Sequence, residues 1–577
     1  MFINWETPPE GRQKVPTRDW TALISDREAR LSSLETTRYS WWLHWRDLAE
    51  YLLPRRYKWL ITANQSNRGS PINQRIIDET GSVAARVLAS GMMSGITSPS
   101  RPWFRIEMQD ESLNDIAEVK LWTSAVAKRM QMVMANSGYY TAKAVQYFDL
   151  VVFGTAPMLI FEDFDNVIRC FNPCAGEYFL GAGPANTVDT FYRKYTYTVA
   201  QTVAEFGYEN CPATLQQSYR EKGGKDREVI IGHSIEPNGE YTGGMGLGSN
   251  GLSKHFKYIE VYWCIGKSSD APLRIKGYHE QPGSFPRWDT VGDDAYGRSP
   301  GMDALPSVRQ LQLESKRKAQ ALDKMVNPPM VATAQMKNEP ASLLPGAVTY
   351  TPQGAGVDAF RPAYQFTPPI DEITADIQDV RERIKATLFN DLFMMISQLD
   401  TVRTATEIDA RREEKLIQLG PVLERFQHEG LQPDIDRIFA IMARNGLIPP
   451  APPQIRGFPL KVAYDSMLSQ MQRAAQTGSI ERLWATVGNL AGAVPAVLDL
   501  LNYDEGVDEY ADMLNVSPKL LNDPSKVQAI RQQKAQAQQQ QAAMQQSLAL
   551  AQGAQTMSQT PVGGGQNALQ AVLGGGR

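Results

Sequence analysis

From about Asp26 to Leu53, apolar and aromatic residues recur three and four apart, and Pro54 follows. That spacing predicts a helix, which ends where proline pushes its predecessor out of helical geometry. The same period predicts helices over about Asn73–Met93 and Leu113–Asn136. Then the pattern changes. "PMLIFED", "NVIRCFNP" and "TVDTFYRKYTYT" are β-branched and aromatic with turn residues between them, and predict a small, mostly antiparallel β region over about 154–277.

Past Ser299 the helical period returns. "MDALPSVRQLQLESKRKAQALDKMV" predicts one helix to Val326, roughly 35 Å long at about 1.5 Å per residue. Asn327-Pro328-Pro329 stops it, and a Pro/Gly-rich stretch with strand-like pieces follows to about 367. "PPIDEITADIQDVRERIKATLF" predicts a second long helix. Its Ile370, Ile373, Ile377, Val380, Ile384 and Leu388 form one narrow stripe among charged residues, which suits a helix leaning on neighbours. A loop over 391–403 comes next. Thr404 and Glu407 stand at capping-box spacing and predict a third long helix, with kinks at Gly420-Pro421 and Gln432-Pro433 and a stop at Asn445-Gly446. A further helical segment is expected to about 521. From Lys526 the composition turns to Gln and Ala, then Gly, and supports no packed core; a solvated helix and a disordered tail both fit.

Composition narrows the class. A chain of 577 residues is long enough for several domains. No apolar run approaches the roughly 18 residues of a membrane span, and the N-terminus has no signal-peptide pattern. Four cysteines at this length suit a reducing compartment. The net charge of -4 argues against a tight grip on DNA phosphates, which basic proteins provide.

Candidate chemistry is sparse. "GLGSNG", Gly246 to Gly251, matches G-x-G-x-x-G, but a turn precedes it and strand-like "KYIEVYW" follows, so a hairpin loop is expected. "GMMSG" places its serine one position late for a nucleophile elbow. Its Gly91 and Gly95, with Ser94, are read as small residues for close packing, within the chain or between subunits, and Trp103 and Phe104 as anchors of the strand that follows. Cys170 and Cys174 lack the further ligands of a zinc site, and the five histidines are scattered. "FEDFDN", Glu162 to Asn166, reads as an acidic hairpin turn. Arg55, Arg56 and Lys58 beside Tyr57 and Trp59 read as a solvated helix end, with nucleic-acid contact the alternative. No nucleophile, base and orienting group assemble, so no catalytic residue, metal or cofactor is expected. The enzymatic alternative, a nucleotide- or DNA-processing packaging ATPase, would need a phosphate loop with its Lys and an acidic metal site, and the sequence carries neither.

Several segments do carry a resemblance. "DETGSVAARVLASGMMSGITSPSRPWFRI" (78–106) resembles the signature of the head-to-tail connecting (portal) proteins of short-tailed, T7-like bacteriophages. "RYSWWLHWRDLAEYLLPRR" (38–56) resembles the family's N-terminal helix. "DLVVFGTAPMLIFED" (149–163) and "VDTFYRKYTYTVAQTVAEFG" (188–207) resemble its β-rich wing, and "PRWDTVGDDAYGRSPGMDALPSVRQLQ" (286–312) is the most specific after the first. The match runs in order over roughly 20–445.

The resemblance implies an α+β portal fold assembled as a ring, usually a homododecamer, in the virion at one capsid vertex, after assembly in the host cytoplasm. Double-stranded DNA passes through the ring during packaging and ejection. The large terminase subunit, capsid and scaffolding proteins and tail adaptor or nozzle proteins are the implied partners, with no membrane. Mapped onto this chain, 1–298 is the N-terminal wing region of helices and antiparallel β. The first stem helix is 299–326, the small α/β clip 327–367 and the second stem helix 368–390. The channel loop is 391–403, the kinked wing helix 404–450, the helical C-terminal wing or crown 451–525 and the Gln/Gly-rich tail, flexible or a helical barrel, 526–577. Met394, Met395, Ser397, Gln398, Asp400 and Arg403 are the expected loop residues facing DNA. Arg309, Lys316, Lys324, Arg381 and Lys385 are candidate basic residues of the channel wall. The competing expectation is salt bridging to Glu314, Asp376, Asp379 or Glu382 between subunits.

Overall fold

A computed structural model describes residues 20–56, 74–114, 116–243, 254–266, 271–338, 349–350, 360–363, 369–390, 419–455, 457–464, 481–490, 502–513 and 524–559. The chain divides into two compact units. One comprises 1–105, 126–450 and 462–468, the other 106–125, 451–461 and 469–577.

The larger unit is organised around a five-stranded antiparallel sheet. Its strands are β4 (Tyr178–Ala182), β5 (Val188–Thr198), β6 (Glu228–Pro237), β7 (Tyr258–Cys264) and β8 (Arg274–Tyr278), in that spatial order. Successive side chains of a strand point to opposite faces, and both faces here are covered. Val229, Ile231, Tyr262 and Cys264 pack under two short helices, α5 (Val199–Phe206) and α6 (Ala213–Arg220). Tyr192, Ile259, Val261 and Trp263 pack on the other face under Trp20, Ile24, Leu31 and Leu34, at and within α1 (Thr21–Tyr51). Burial on both sides explains why "KYIEVYW" reads as a nearly continuous apolar run. Within it His233 Nε2 lies 2.9 Å from Glu260, and Tyr262 and Tyr278 donate to the same carboxylate. Burial alone would raise Glu260, but His233, with the charges of Arg274 and Lys276, holds it down at about 2.

The aromatics of α1 follow the same logic. Trp45 is fully buried against Phe153, Tyr178 and Tyr296, and its indole N–H donates to the Phe153 carbonyl. The 3.6-residue period placed α1 within a few residues of its position.

Helix α2 spans Thr80–Ile96 and α3 Ala117–Asn136. Strand β1 (Phe104–Met108) separates them. Trp103 and Phe104 are buried and pack edge to face at 4.7 Å. Helix α4 (Tyr139–Phe153) corrects the assignment of 149–163 to β structure at its beginning. "DLVVF" is apolar all round because it is the buried last turn of a helix, which periodicity cannot tell from a buried strand. Gly138 and Gly154, both left-handed, bracket it. From there β2 (Met158–Asp163) turns into β3 (Val167–Phe171), with β9 (Gly283–Ser284) on the other side of β2. "FEDFDN" is thus the hairpin turn its composition predicts.

Two long helices follow, α7 (Pro300–Val326) and α8 (Ile370–Thr387). Between them β10 (Met330–Ala332) pairs antiparallel with β11 (Phe360–Pro362), and Met336 packs with Phe360. The helix around Pro433 is interrupted by one π-turn, Gln427–Leu431, before α9 (Gln432–Arg444). Proline 433 cannot donate to the Glu429 carbonyl, and that carbonyl instead accepts from the Phe285 N–H at 3.3 Å. At Gly420-Pro421 the described backbone is helical from 419 onward. Asn445 caps α9 and Gly446 is left-handed, as expected of a stop. Thr404 and Glu407 lie outside the described residues, as do Gly246 to Gly251.

The C-terminal part departs from an all-helical reading. Strand β12 (Leu460–Tyr464) interrupts it, because "LKVAY" alternates with period two. Helices over 481–490 and α10 (Tyr503–Met513) meet through Trp484 and Tyr510, 5.6 Å apart. Helix α11 (Pro524–Gln559) is one continuous 36-residue helix with no buried residue among those described.

Candidate stem helices and their anchor

Helix α7 begins where three segments cross. Ser299 caps it, its hydroxyl accepting from the Met302 N–H and donating to the Val152 carbonyl at 2.7 Å. Upstream, Gly154 and Gly297 touch backbone to backbone. A Cβ on Gly154 would lie 2.2 Å from the Gly297 carbonyl oxygen, and one on Gly297 would lie 2.3 Å from that of Gly154. The Trp288 N–H donates to Gly154 and the Gly297 N–H to Thr155 Oγ1. The segments 149–163 and 286–312, singled out separately in the sequence, thus form one joint.

A second joint ties α2 to both long helices. Gln312 Oε1 accepts from the Ile77 and Asp78 N–H groups at 2.7 and 2.8 Å, and its Nε2 donates back to the Asp78 carbonyl. Asp78 in turn accepts from Thr80 and from Arg381 of α8, at 2.7 Å from its Nη2. Burial would raise the Asp78 carboxyl, but the Thr80 and Arg381 bonds outweigh it and lower it. A Cβ on Gly81 would lie 2.9 Å from both Leu52 and Val308. Close approach of α2 therefore occurs at Gly81, in the first turn. It does not occur at Gly95, where a Cβ would meet nothing within 4 Å. Gly91 is buried and accepts from the exposed Ser94 hydroxyl at 3.1 Å. Close packing inside the chain is therefore not the role of Gly95. The spacing of small residues carried no information about which one faces a neighbour. Gln312→Ala is expected to cost about 1–3 kcal/mol in urea denaturation, because it strands two partly buried backbone donors; Gln312→Glu should cost less.

Beyond this joint the two long helices change character. No residue from Leu313 to Val326 is buried, and Leu313, Leu322, Met325 and Val326 are 38–74% exposed. On α8 the predicted stripe buries Ile377, Val380, Ile384 and Leu388 and leaves Ile370 and Ile373 only partly covered.

The structure sorts the candidate wall cations. Arg309 pairs with Asp47 of α1 and Arg381 with Asp78, so both are held inside the chain near the joint. Lys316 and Lys324 are exposed and Lys385 half-exposed, and none has an ion pair among the described residues. Of the proposed acidic partners, Glu314 accepts from Gln310, Asp379 pairs with Arg383 one turn on, and Glu382 accepts from Gln378. Arg56, read as part of a solvated helix end, is salt-bridged to the buried Asp149. Tyr57, Lys58 and Trp59 lie outside the described residues, as do the loop residues Met394, Met395, Ser397, Gln398, Asp400 and Arg403.

The sequence reading missed the pair Lys143–Asp434, fully buried at 2.7 Å, which links α4 to α9. It also missed the bidentate Arg287–Glu429 clamp on the π-turn. A lysine at an otherwise apolar helix position, inside "YYTAKAVQYF", was the available signal for the first.

The chain is 41% identical over 533 residues to the "Portal protein" of Salmonella phage epsilon15, covering 92% of this chain and 94% of the relative. It is also 41% identical over 529 residues to the "Probable portal protein" of Bordetella phage BPP-1, covering 92% and 93%. A solved chain from the virion of a native gene transfer agent particle aligns with 70% of this chain and 89% of its own, but at 12% identity and a TM-score of 0.27 it carries no argument. A sequence model of the family "Bacteriophage head to tail connecting protein" matches residues 25–521, and the chain belongs to that family.

Proposed function

We propose that the chain is the portal subunit of a phage head: copies close into a ring, most simply of twelve, at one capsid vertex. The observation that carries this reading is the exposed apolar half of the stem. Leu313, Leu322, Met325 and Val326 are open to solvent on a helix whose other end is anchored by two joints. Such a surface is stable when copies of the same helix cover it, and a heterologous contact repeated around an axis closes a ring. In this reading α7 and α8 line the wall of a channel for double-stranded DNA. Residues 327–367 form the end where terminase and then tail proteins dock, and 391–403 face the DNA. Capsid and scaffolding proteins would surround the ring. The stretches 313–326 and 370–387 hold seven basic and seven acidic side chains, so the wall has no net charge to trap phosphates. Within it Lys316, Arg317, Lys318, Lys324 and Lys385 have no ion pair among the described residues.

Purified chain is expected to scatter light as a particle of many subunits and to give annular images in negative stain. A compact monomer at every concentration and salt would contradict the reading.

A further inference from the structure

The charges of the two long helices are sorted by sign. From 315 to 326, α7 carries four basic side chains and one acidic. From 370 to 379, α8 carries four acidic and none basic. Strand β10 follows α7, β11 precedes α8, and the two strands pair, so α8 runs back along α7 with its acidic half beside the basic half. Yet among the described residues no ion pair joins the two helices. Arg317, Lys324, Glu372 and Asp376 have no ion pair at all among those residues.

The reason is direction. Leu313, Arg317, Gln320 and Lys324 follow one another at steps of four, three and four, so they share one face of α7, and all are exposed. Glu372, Asp376 and Asp379 follow at steps of four and three on α8. They too are exposed and stand clear of the buried Ile377, Val380 and Ile384. The two charged faces are also level. Gln312 of α7 and Arg381 of α8 both bond Asp78, which sets a common height. Arg317 lies five residues past Gln312 and Asp376 five before Arg381, each about 7.5 Å along its helix. Lys324 and Glu372 come roughly 18 and 14 Å along, a difference that long side chains span.

We propose that the exposed face of α7 in one copy lies against the exposed face of α8 in the next, with Arg317 facing Asp376 and Lys324 facing Glu372. The inference rests on the ring reading and names one contact within it. Another α7 in that place would set cations against cations, whereas α8 sets carboxylates against them. The two faces differ and belong to one chain, so the contact is heterologous and passes from copy to copy. Rotation about an axis along the helices keeps the heights matched. Exposed Leu313 lies on the same face of α7, so the contact covers apolar surface as well. DNA phosphates are the other anions within the ring reading, but they would leave the level row of carboxylates on α8 without a role.

The test is a charge swap in the full chain, read by light scattering over a concentration series with negative-stain counts of rings. A single exposed pair contributes little, but reversing one partner opposes like charges at every interface of the ring. Arg317→Glu and Asp376→Arg should each raise the concentration for half-assembly about tenfold or more. The double variant should return it to within about threefold of the parent. Both residues are exposed, so the dissociated chains should melt as the parent does. A second measurement does not depend on assembly strength. Rings from co-expressed Arg317→Cys and Asp376→Cys chains, treated with a short bismaleimide, should give more linked dimer than rings of either variant alone. Unchanged assembly in both charge variants, a double variant no better than the singles, or no excess of linked dimer would overturn the contact while leaving the ring reading intact. Loss of assembly with Arg317→Glu but not with Asp376→Arg would also overturn it, and would give the cations to phosphate. Parent chain that never forms rings would remove the ring reading, and this contact with it.

Discussion

Lys143→Ala is expected to destabilise the chain by about 3–5 kcal/mol, since it leaves a carboxylate in the core without its counter-charge. The Lys143 ammonium lies 2.7 Å from Asp434 and from Gln146 Oε1, and the Tyr139 hydroxyl donates to the same carboxylate at 2.9 Å. All four side chains are inaccessible to water. Burial lowers the affinity of Lys143 for its proton and raises that of Asp434, and each opposes the other's shift. The pair is therefore costly to bury and costlier to break. Replacing both partners with apolar residues of similar size, Lys143→Met with Asp434→Leu, should recover most of the loss. Urea denaturation of the three variants checks this. A single variant as mild as the double would mean that water reaches the site and solvates the remaining charge.

The second large effect is at the glycine joint. Gly154→Ala should cost about 3 kcal/mol or more. A left-handed non-glycine residue costs about 1–2 kcal/mol, and forcing a methyl into a filled contact about 1–3 more. Here the methyl would meet the Gly297 carbonyl oxygen, which belongs to backbone and cannot swing away. Because this joint sets the start of α7, ring yield should fall with stability. Gly95→Ala is the comparison, since its methyl meets nothing within 4 Å. It should leave the denaturation midpoint of the dissociated chain unchanged or raise it slightly, as alanine favours a helix interior over glycine. Equal midpoints for the parent and Gly154→Ala would refute the joint.

These two sites also mark where reading the sequence stops. The helices α1, α7 and α8 were legible because burial on one side imprints a 3.6-residue period, and the stripe on α8 came out at Ile377, Val380, Ile384 and Leu388. The antiparallel sheet was legible from β-branched and aromatic runs separated by turns. Helix α4 was missed altogether, and at its end burial on every side erases the period. The resemblance of segments 78–106, 149–163 and 286–312 pointed to the family without saying that the latter two form one joint.

The chain order of apolar, polar and turn residues thus determined most elements, and the resemblance of the quoted segments pointed to the family. Which glycine is packed, which arginine is already neutralised and which lysine meets which aspartate were decided only in three dimensions. Gly81 and Gly95 sit in one helix with similar local surroundings, yet one faces Val308 and the other open space. Local pattern records how much of a residue is buried. The identity of its partner depends on chain that returns hundreds of residues later, and no short window of sequence contains it.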